Sequence, residues 1–327
     1  MREPSPTGLR TLLEWELHPS RTLYAFEDLT ARRPRGRFEP GGPGGVPRGR
    51  EWFIEDQHYG HFVAMAGLRL GDDELVRRGV GVMDYGVGRM TPEATYDHED
   101  WHHSAAFFYE ALARMLLLRE PLKLPAATIE TWSAALRHGV TWFADRRAWN
   151  DHWWRDSMHH RFFLNPAAIF MADAALPTLE GAAVEQAYAW ISEGLRRQRH
   201  DGAHTELGGH DTGYHSLSMT FTAGIVLTAR IHDALRDDLR ASLRRAADWL
   251  LTRIGDDGRI DDTGNTRMGP GSMENQRTRG PRRRRIKFHE TAFALVGAAH
   301  VLADDALSAA AQRILAAYGA EDAKAAG

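Results

Sequence analysis

Apolar residues recur along this chain at helical period in paired segments, and the joints between them alternate between short and long. That pattern excludes strand-rich folds, because period-two alternation is nearly absent and the apolar faces read at i, i+3, i+4 and i+7. Helices are expected at about 8–17, 21–31, 55–70, 73–88, 102–119, 126–145, 159–175, 182–199, 213–233, 237–254, 288–303 and 306–318. Within a pair the joint is short, as at Gly71-Asp72-Asp73, Glu120-Pro121 and Ala303-Asp304-Asp305, which suits antiparallel αα-hairpins. Between pairs it is long, at 32–54, 89–101, 146–158, 200–212 and 255–287.

The first helices of successive pairs start at intervals of roughly 45 to 75 residues, the mark of an internal repeat. About six such hairpins stack as an open solenoid or close into a ring of inner and outer helices. The helix starts favour the ring. His58, Tyr59 and His61, then His102 and His103, His159 and His160, Tyr214 and His215, and His289 and Glu290 open successive pairs, and a ring would bring them to one mouth. The expectation is all-α: one domain over 1–327, an (α/α)6 toroid with flexible loops at about 32–54 and 262–287.

Composition narrows the chemistry. At 43% hydrophobic, 327 residues can bury a large core. A formal charge of −3 points to no nucleic-acid or anionic-membrane partner. With no cysteine, any nucleophile or ligand is oxygen or nitrogen. The opening MREPSPTGLRTLLEWELHPS contains no apolar h-region, and no stretch of about 18 apolar residues occurs, so a cytoplasmic chain outside the membrane is expected. P-loop, dinucleotide and nucleophile-elbow motifs are absent from the sequence.

The richest stretch is His200-Asp201-Gly202-Ala203-His204-Thr205-Glu206-Leu207-Gly208-Gly209-His210-Asp211-Thr212-Gly213-Tyr214-His215-Ser216. An Asp-Gly turn and a glycine-rich approach to a helix start would hold Tyr214 and His215 at a cleft rim beside exposed amides. Asp201-Gly202 followed by Thr212-Gly213-Tyr214 resembles the DGSF…YTGAYG stretch of the α/α-toroid polysaccharide lyases, the hyaluronate, chondroitin and alginate lyase-like enzymes. In that family a tyrosine of this loop serves in the elimination. His159-His160-Arg161-Phe162-Phe163-Leu164-Asn165-Pro166 is similar to the family's asparagine-bearing segment, and Met273-Glu274-Asn275-Gln276-Arg277-Thr278-Arg279 resembles its arginine-rich loop. The resemblance implies that Asn165 neutralises a uronate carboxylate and that Tyr214 acts on the reacting sugar.

Uronate elimination removes a weakly acidic proton beside a carboxylate, so the carboxylate must be neutralised and the developing charge stabilised. Asn165, Arg161 and helix amides suit that task. Base and acid roles suit phenol and imidazole: Tyr214 first, with His215 or His160 second. Substrate contacts are expected from His58, His102, His103, Trp153, Trp154, Asp211, Arg279 and Glu290. The cluster Tyr96-Asp97-His98-Glu99-Asp100-Trp101-His102-His103 has nitrogen and oxygen donors for zinc, manganese or iron, but its spacing fixes no ligand set, and a helix cap with substrate contact is the reading preferred over a metal. Arg277, Arg279, Arg282, Arg283, Arg284, Arg285 and Lys287 would attract an anionic polymer, and the same charges would suit a nucleic acid, but Gly269-Pro270-Gly271 and Gly280-Pro281 beside them make a mobile solvated loop the default reading. The partner expected is an acidic carbohydrate, with no cofactor.

Two other classes fit the same residues. A glycoside hydrolase would use two carboxylates drawn from Asp100, Asp156, Asp211 and Glu290, and a sugar epimerase would use paired histidines. A non-catalytic helical scaffold would leave the helix-start histidines dispersed.

Overall fold

The computed structural model describes residues 5–21, 54–96, 101–145, 158–176, 179, 181–269, 272 and 286–325, of which 101–103 and 320–325 through their backbone. Twelve helices and one two-stranded ribbon are present among them. The helices are α1 (Pro6–Glu16), α2 (Ile54–Gln57), α3 (Tyr59–Leu70), α4 (Asp73–Gly88), α5 (Trp101–Leu117), α6 (Ala126–Ala144), α7 (Arg161–Ala175) and α8 (Gly181–Arg197). After the strands β1 (Thr205–Glu206) and β2 (Gly209–His210) come α9 (Thr212–Thr228), α10 (Asp233–Leu251), α11 (Phe288–Leu302) and α12 (Asp305–Ala325). The described residues are mostly helical, consistent with the all-α expectation from the periodicity. None of the described helices is long and apolar enough to cross a membrane.

The chain divides into two compact units, residues 1–150, 165–189 and 228–230, and residues 151–164, 190–227 and 231–327. The division passes through α7, so Arg161 belongs to the second unit and Asn165 to the first. α7 continues through Pro166, whose missing N–H removes one helical bond without ending the helix.

In the first unit the short joints behave as expected. Gly71 closes α3 in the left-handed region at φ 66°, and the Asp72 carboxylate accepts from the amides of Glu74 and Leu75 to start α4. These two helices approach through glycines: a Cβ on Gly79 would lie 2.4 Å from the Gly60 carbonyl oxygen. Below them lies a fully buried charge network. Glu16, at the end of α1, accepts from Arg21 Nε at 3.0 Å and from Arg114 Nη1 at 2.5 Å, and Arg114 Nε donates to Glu110 at 2.5 Å. His61 Nε2 stands 3.4 Å from the same Glu16 carboxylate. Burial would raise the Glu16 carboxyl, but Arg21, His61 and Arg114 together hold it down at about 2. Burial pushes His61 itself down to about 3, so its ring is neutral.

The second unit repeats a local device. After α8, Asp201 accepts from the amide of Ala203, and Gly202 sits at φ 92°, where a Cβ would lie 2.1 Å from the Arg245 carbonyl oxygen. After α10, Asp257 accepts from the amide of Arg259, and Gly258 sits at φ 80°, where a Cβ would lie 2.2 Å from the Arg313 carbonyl oxygen. The first Asp-Gly turn therefore lies flat on α10 and the second on α12, which only glycine permits. The arginines of α10 add a second fastening. Arg240 donates to the Val301 carbonyl at 2.5 Å, while Arg236 reaches the Val226 carbonyl and Arg244 the Asp304 carboxylate. Unsatisfied carbonyls near the ends of α9 and α11 thus gain cationic donors.

Breaking a buried ion pair leaves an uncompensated charge. Arg114→Met is expected to cost about 3–5 kcal/mol of unfolding free energy in denaturant titration, whereas exchange of the exposed pair Arg77 and Glu74 should cost less than about 1 kcal/mol.

Candidate active site

Residues 205–210 form a hairpin that the sequence does not advertise. Thr205 pairs with His210 and Glu206 with Gly209, and the two turn residues, Leu207 at φ 49° and Gly208 at φ 81°, have the left-handed backbone of a type I′ turn. The hairpin is bridged on both sides, to Met158 through Glu206 and to Asn265 through His210. It thereby joins the start of α7 to the loop that follows α10.

That join buries a carboxylate between an imidazole and a guanidinium. Glu206 Oε2 is 2.9 Å from His160 Nδ1, and Glu206 Oε1 accepts from Arg267 Nη1 at 2.9 Å. Burial favours the neutral acid, yet His160 and Arg267 outweigh it and hold Glu206 below the usual carboxylate range. Burial likewise pushes the His160 imidazole down, against the pull of Glu206. The pair is therefore a neutral imidazole donating Nδ1–H to a carboxylate, which makes Nε2 the acceptor nitrogen. The Tyr214 ring lies 4.8 Å from the His160 ring, and the Arg267 guanidinium stands 4.0 Å over Tyr214. His160 and Glu206 are buried, whereas Tyr214 and Arg267 are part-exposed. Arg161, also buried, adds its positive charge beside His160.

Asp211 fixes Tyr214 and Arg267 from below. Its Oδ1 accepts from the amides of Gly213 and Tyr214, both at 3.1 Å, and its Oδ2 from those of Arg267 and Met268, both at 2.7 Å. Burial pushes the Asp211 carboxyl up to about 6, opposed by the amides of Met268, Arg267 and Tyr214. Asn265 reinforces the join: its Oδ1 accepts from the Thr212 amide at 3.2 Å, and its Nδ2 donates to Thr212 Oγ1 at 2.8 Å. Asp211, expected as a substrate contact, is thus a buried carboxylate that accepts four amides and clamps the two segments together.

His215, expected as a base or acid beside Tyr214, is buried and bonded to backbone through both ring nitrogens. Its Nδ1 accepts from the His204 amide at 3.2 Å and its Nε2 donates to the Ala246 carbonyl at 2.9 Å, so both nitrogens are held by backbone. Burial pushes it down to about 4. His159 repeats the arrangement 56 residues earlier, accepting from the Thr205 amide at 3.2 Å and donating to the Gly194 carbonyl at 2.7 Å. These two histidines pin the start of α7 to α8 and the start of α9 to α10.

Of the other residues singled out in the sequence, Asn165 is buried in the first unit. His58 is part-exposed in that unit, with its ring 5.5 Å from that of Phe107 and its Nδ1 on the Glu55 carbonyl. Glu290 accepts from Lys287 Nζ at 3.1 Å in the first turn of α11. The backbone of His102 and His103 opens α5. Their side chains, together with Trp153, Trp154 and Arg279, lie outside the described residues, as do Asp100 and Asp156. No group of three His, Asp or Glu suited to a metal occurs among the described residues.

Sequence reasoning therefore reached His160, Arg161 and Tyr214 but missed Glu206 and Arg267. Removal of the clamp tests the architecture. Asp211→Ala orphans four amides, and about 3 kcal/mol or more of stability should be lost; hydrogen exchange should rise at 265–268 and 212–214 ahead of the rest of the second unit. Comparison with family models, with curated proteins and with solved structures returned no match.

Proposed function

We propose that the second unit carries an acid/base site for β-elimination on a uronate-containing polysaccharide or oligosaccharide, within an (α/α)6 toroid. One observation carries the reading: a neutral imidazole oriented by a buried carboxylate, beside a part-exposed phenol lying under a guanidinium. Such an array supplies base, acid and cation within one small volume.

In this reading His160 Nε2 takes the proton from C5 of the uronate. The electron pair left behind forms the C4–C5 double bond, the C4–O4 bond breaks, and the Tyr214 hydroxyl gives its proton to O4. Proton transfer from the imidazolium to the phenolate, whose rings lie 4.8 Å apart, restores both groups. Arg267 and Arg161 supply the positive charge that steadies the carboxylate as negative charge builds on it. That task was expected of Asn165 and Arg161; Arg267 joins Arg161 in it because it stands over the phenol. The acidic polymer is the partner, and the mechanism uses no metal.

Hydrolysis is less well supported. It asks for two carboxylates facing one bond; of those named for it, Asp211 has both oxygens engaged by amides and Glu290 accepts from Lys287, while Asp100 and Asp156 lie outside the described residues.

The activity is checked by following ultraviolet absorbance of the unsaturated product with polymannuronate, hyaluronan and chondroitin as substrates. Absorbance should rise with one of them. His160→Ala should lower kcat by about 10²–10⁴, and Tyr214→Phe should lower it with little change in KM. Because burial depresses His160 from its ordinary 6.5, the base remains neutral as pH falls through 6.5, so the acid limb of kcat should lie below that value. Reducing sugar released without unsaturation would replace elimination by hydrolysis, and full activity in both variants would remove these residues from the chemistry.

A further inference from the structure

Three buried imidazoles lie together next to the hairpin. The His204 ring is 4.7 Å from that of His215, 5.0 Å from that of His159 and 4.8 Å from that of Phe163. The trio offers no metal cage, because both nitrogens of His159 and His215 already serve the backbone. What those bonds hold is the approach to Glu206. His215 Nδ1 receives the amide of His204, and His159 Nδ1 receives the amide of Thr205, two consecutive donors immediately before the carboxylate that orients His160. An imidazole nitrogen accepts a hydrogen bond only while it carries no proton.

We propose that His159 and His215 form an acid-released latch on the strand that aims Glu206 at His160. Neutral rings hold the amides of 204 and 205; protonated rings drop both, and three positive rings so close together drive the hairpin away. Only the catalytic consequence, separation of Glu206 from His160 in acid, rests on the proposed elimination.

The charged surroundings fit a release at mildly acid pH. His159 faces Arg197, Glu206 and His160; His215 faces Asp201 and His210; His204 faces Arg245 and the other two rings. Burial is the largest influence on all three, pushing His159 and His215 down to about 4 and His204 well below the ordinary histidine range. In the closed hairpin His159 and His215 therefore resist protons until about pH 4, whereas in the open one they take them near 6.5. The latch is at full strength above pH 6.5. As pH falls from there toward 4, each ring makes opening about tenfold more favourable per pH unit, and the gain ends once the closed form binds protons too.

Hydrogen exchange of the intact chain, corrected for the intrinsic pH dependence of amide exchange and read by mass spectrometry without substrate, tests this directly. Peptides covering 203–210 should lose protection between pH 6.5 and 4.5 while helical circular dichroism is unchanged. The double variant His159→Gln/His215→Gln keeps an acceptor and a donor at each position but does not titrate there, so with His204 the one ring of the trio left, its opening should steepen about a hundredfold less per pH unit than the parent's. Should that variant lose its helical signal at neutral pH, His204→Phe serves in its place: it keeps the aromatic contacts and removes one proton, and opening should steepen about tenfold less per pH unit. The latch is overturned if protection at 203–210 is unchanged down to pH 4.5, if it disappears only together with the helical signal, or if the folded substituted chain opens as the parent does. A chain without lyase activity that opens as described would sink the proposed function and leave the latch standing.

Discussion

Glu206 stays ionised away from water because an imidazole meets one of its oxygens and a guanidinium meets the other. A lone buried carboxylate would instead take up a proton. Each partner arrives on a different segment, His160 at the start of α7 and Arg267 on the loop after α10, so the hairpin that carries Glu206 has to lie between them. The remaining anchors of the site follow from that requirement. Asp211 ties the loop to the start of α9, Asn265 ties it to Thr212, and the rings of His159 and His215 hold the incoming strand.

The helices were legible in the sequence because each buries one stripe of its surface, and that stripe recurs at 3.6 residues. Joints such as Gly71-Asp72 were legible through their turn chemistry, left-handed glycine followed by a capping carboxylate. The hairpin was not. Two-residue strands are too short to show alternation, and Leu207-Gly208 lacks the Asn-Gly or Asp-Gly that usually marks a type I′ turn. Without the hairpin, nothing in the sequence distinguished Glu206 from other acidic residues in the same stretch, since its partners lie 46 and 61 residues away. Arg267 fell inside 262–287, expected to be a flexible loop from its glycines and arginines. Residues 265–268 are instead fastened by Asp211 and by Asn265.

The recurrence of histidines at helix starts was a true signal with a different meaning. His159 and His215 recur because the same packing problem recurs: the start of α7 has to be joined to α8, and the start of α9 to α10, each together with the segment that leads into β1, and an imidazole with one acceptor and one donor nitrogen does both. His160 departs from that pattern by one position and by its hydrogen bonding, since its Nδ1 meets a carboxylate where theirs meet amides. Adjacent histidines in one sequence thus have opposite protonation patterns, one set by a strand amide and the other by Glu206.

That opposition can be measured. Nitrogen-15 NMR of the imidazoles at neutral pH should find His160 neutral with its proton on Nδ1, in contrast to His159 and His215 with theirs on Nε2, and Glu206→Gln should disturb the His160 signals most. A His160 ring that carries its proton on Nε2, or that is doubly protonated at neutral pH, would contradict the account, because neither form offers the acceptor nitrogen on which the proposed chemistry depends.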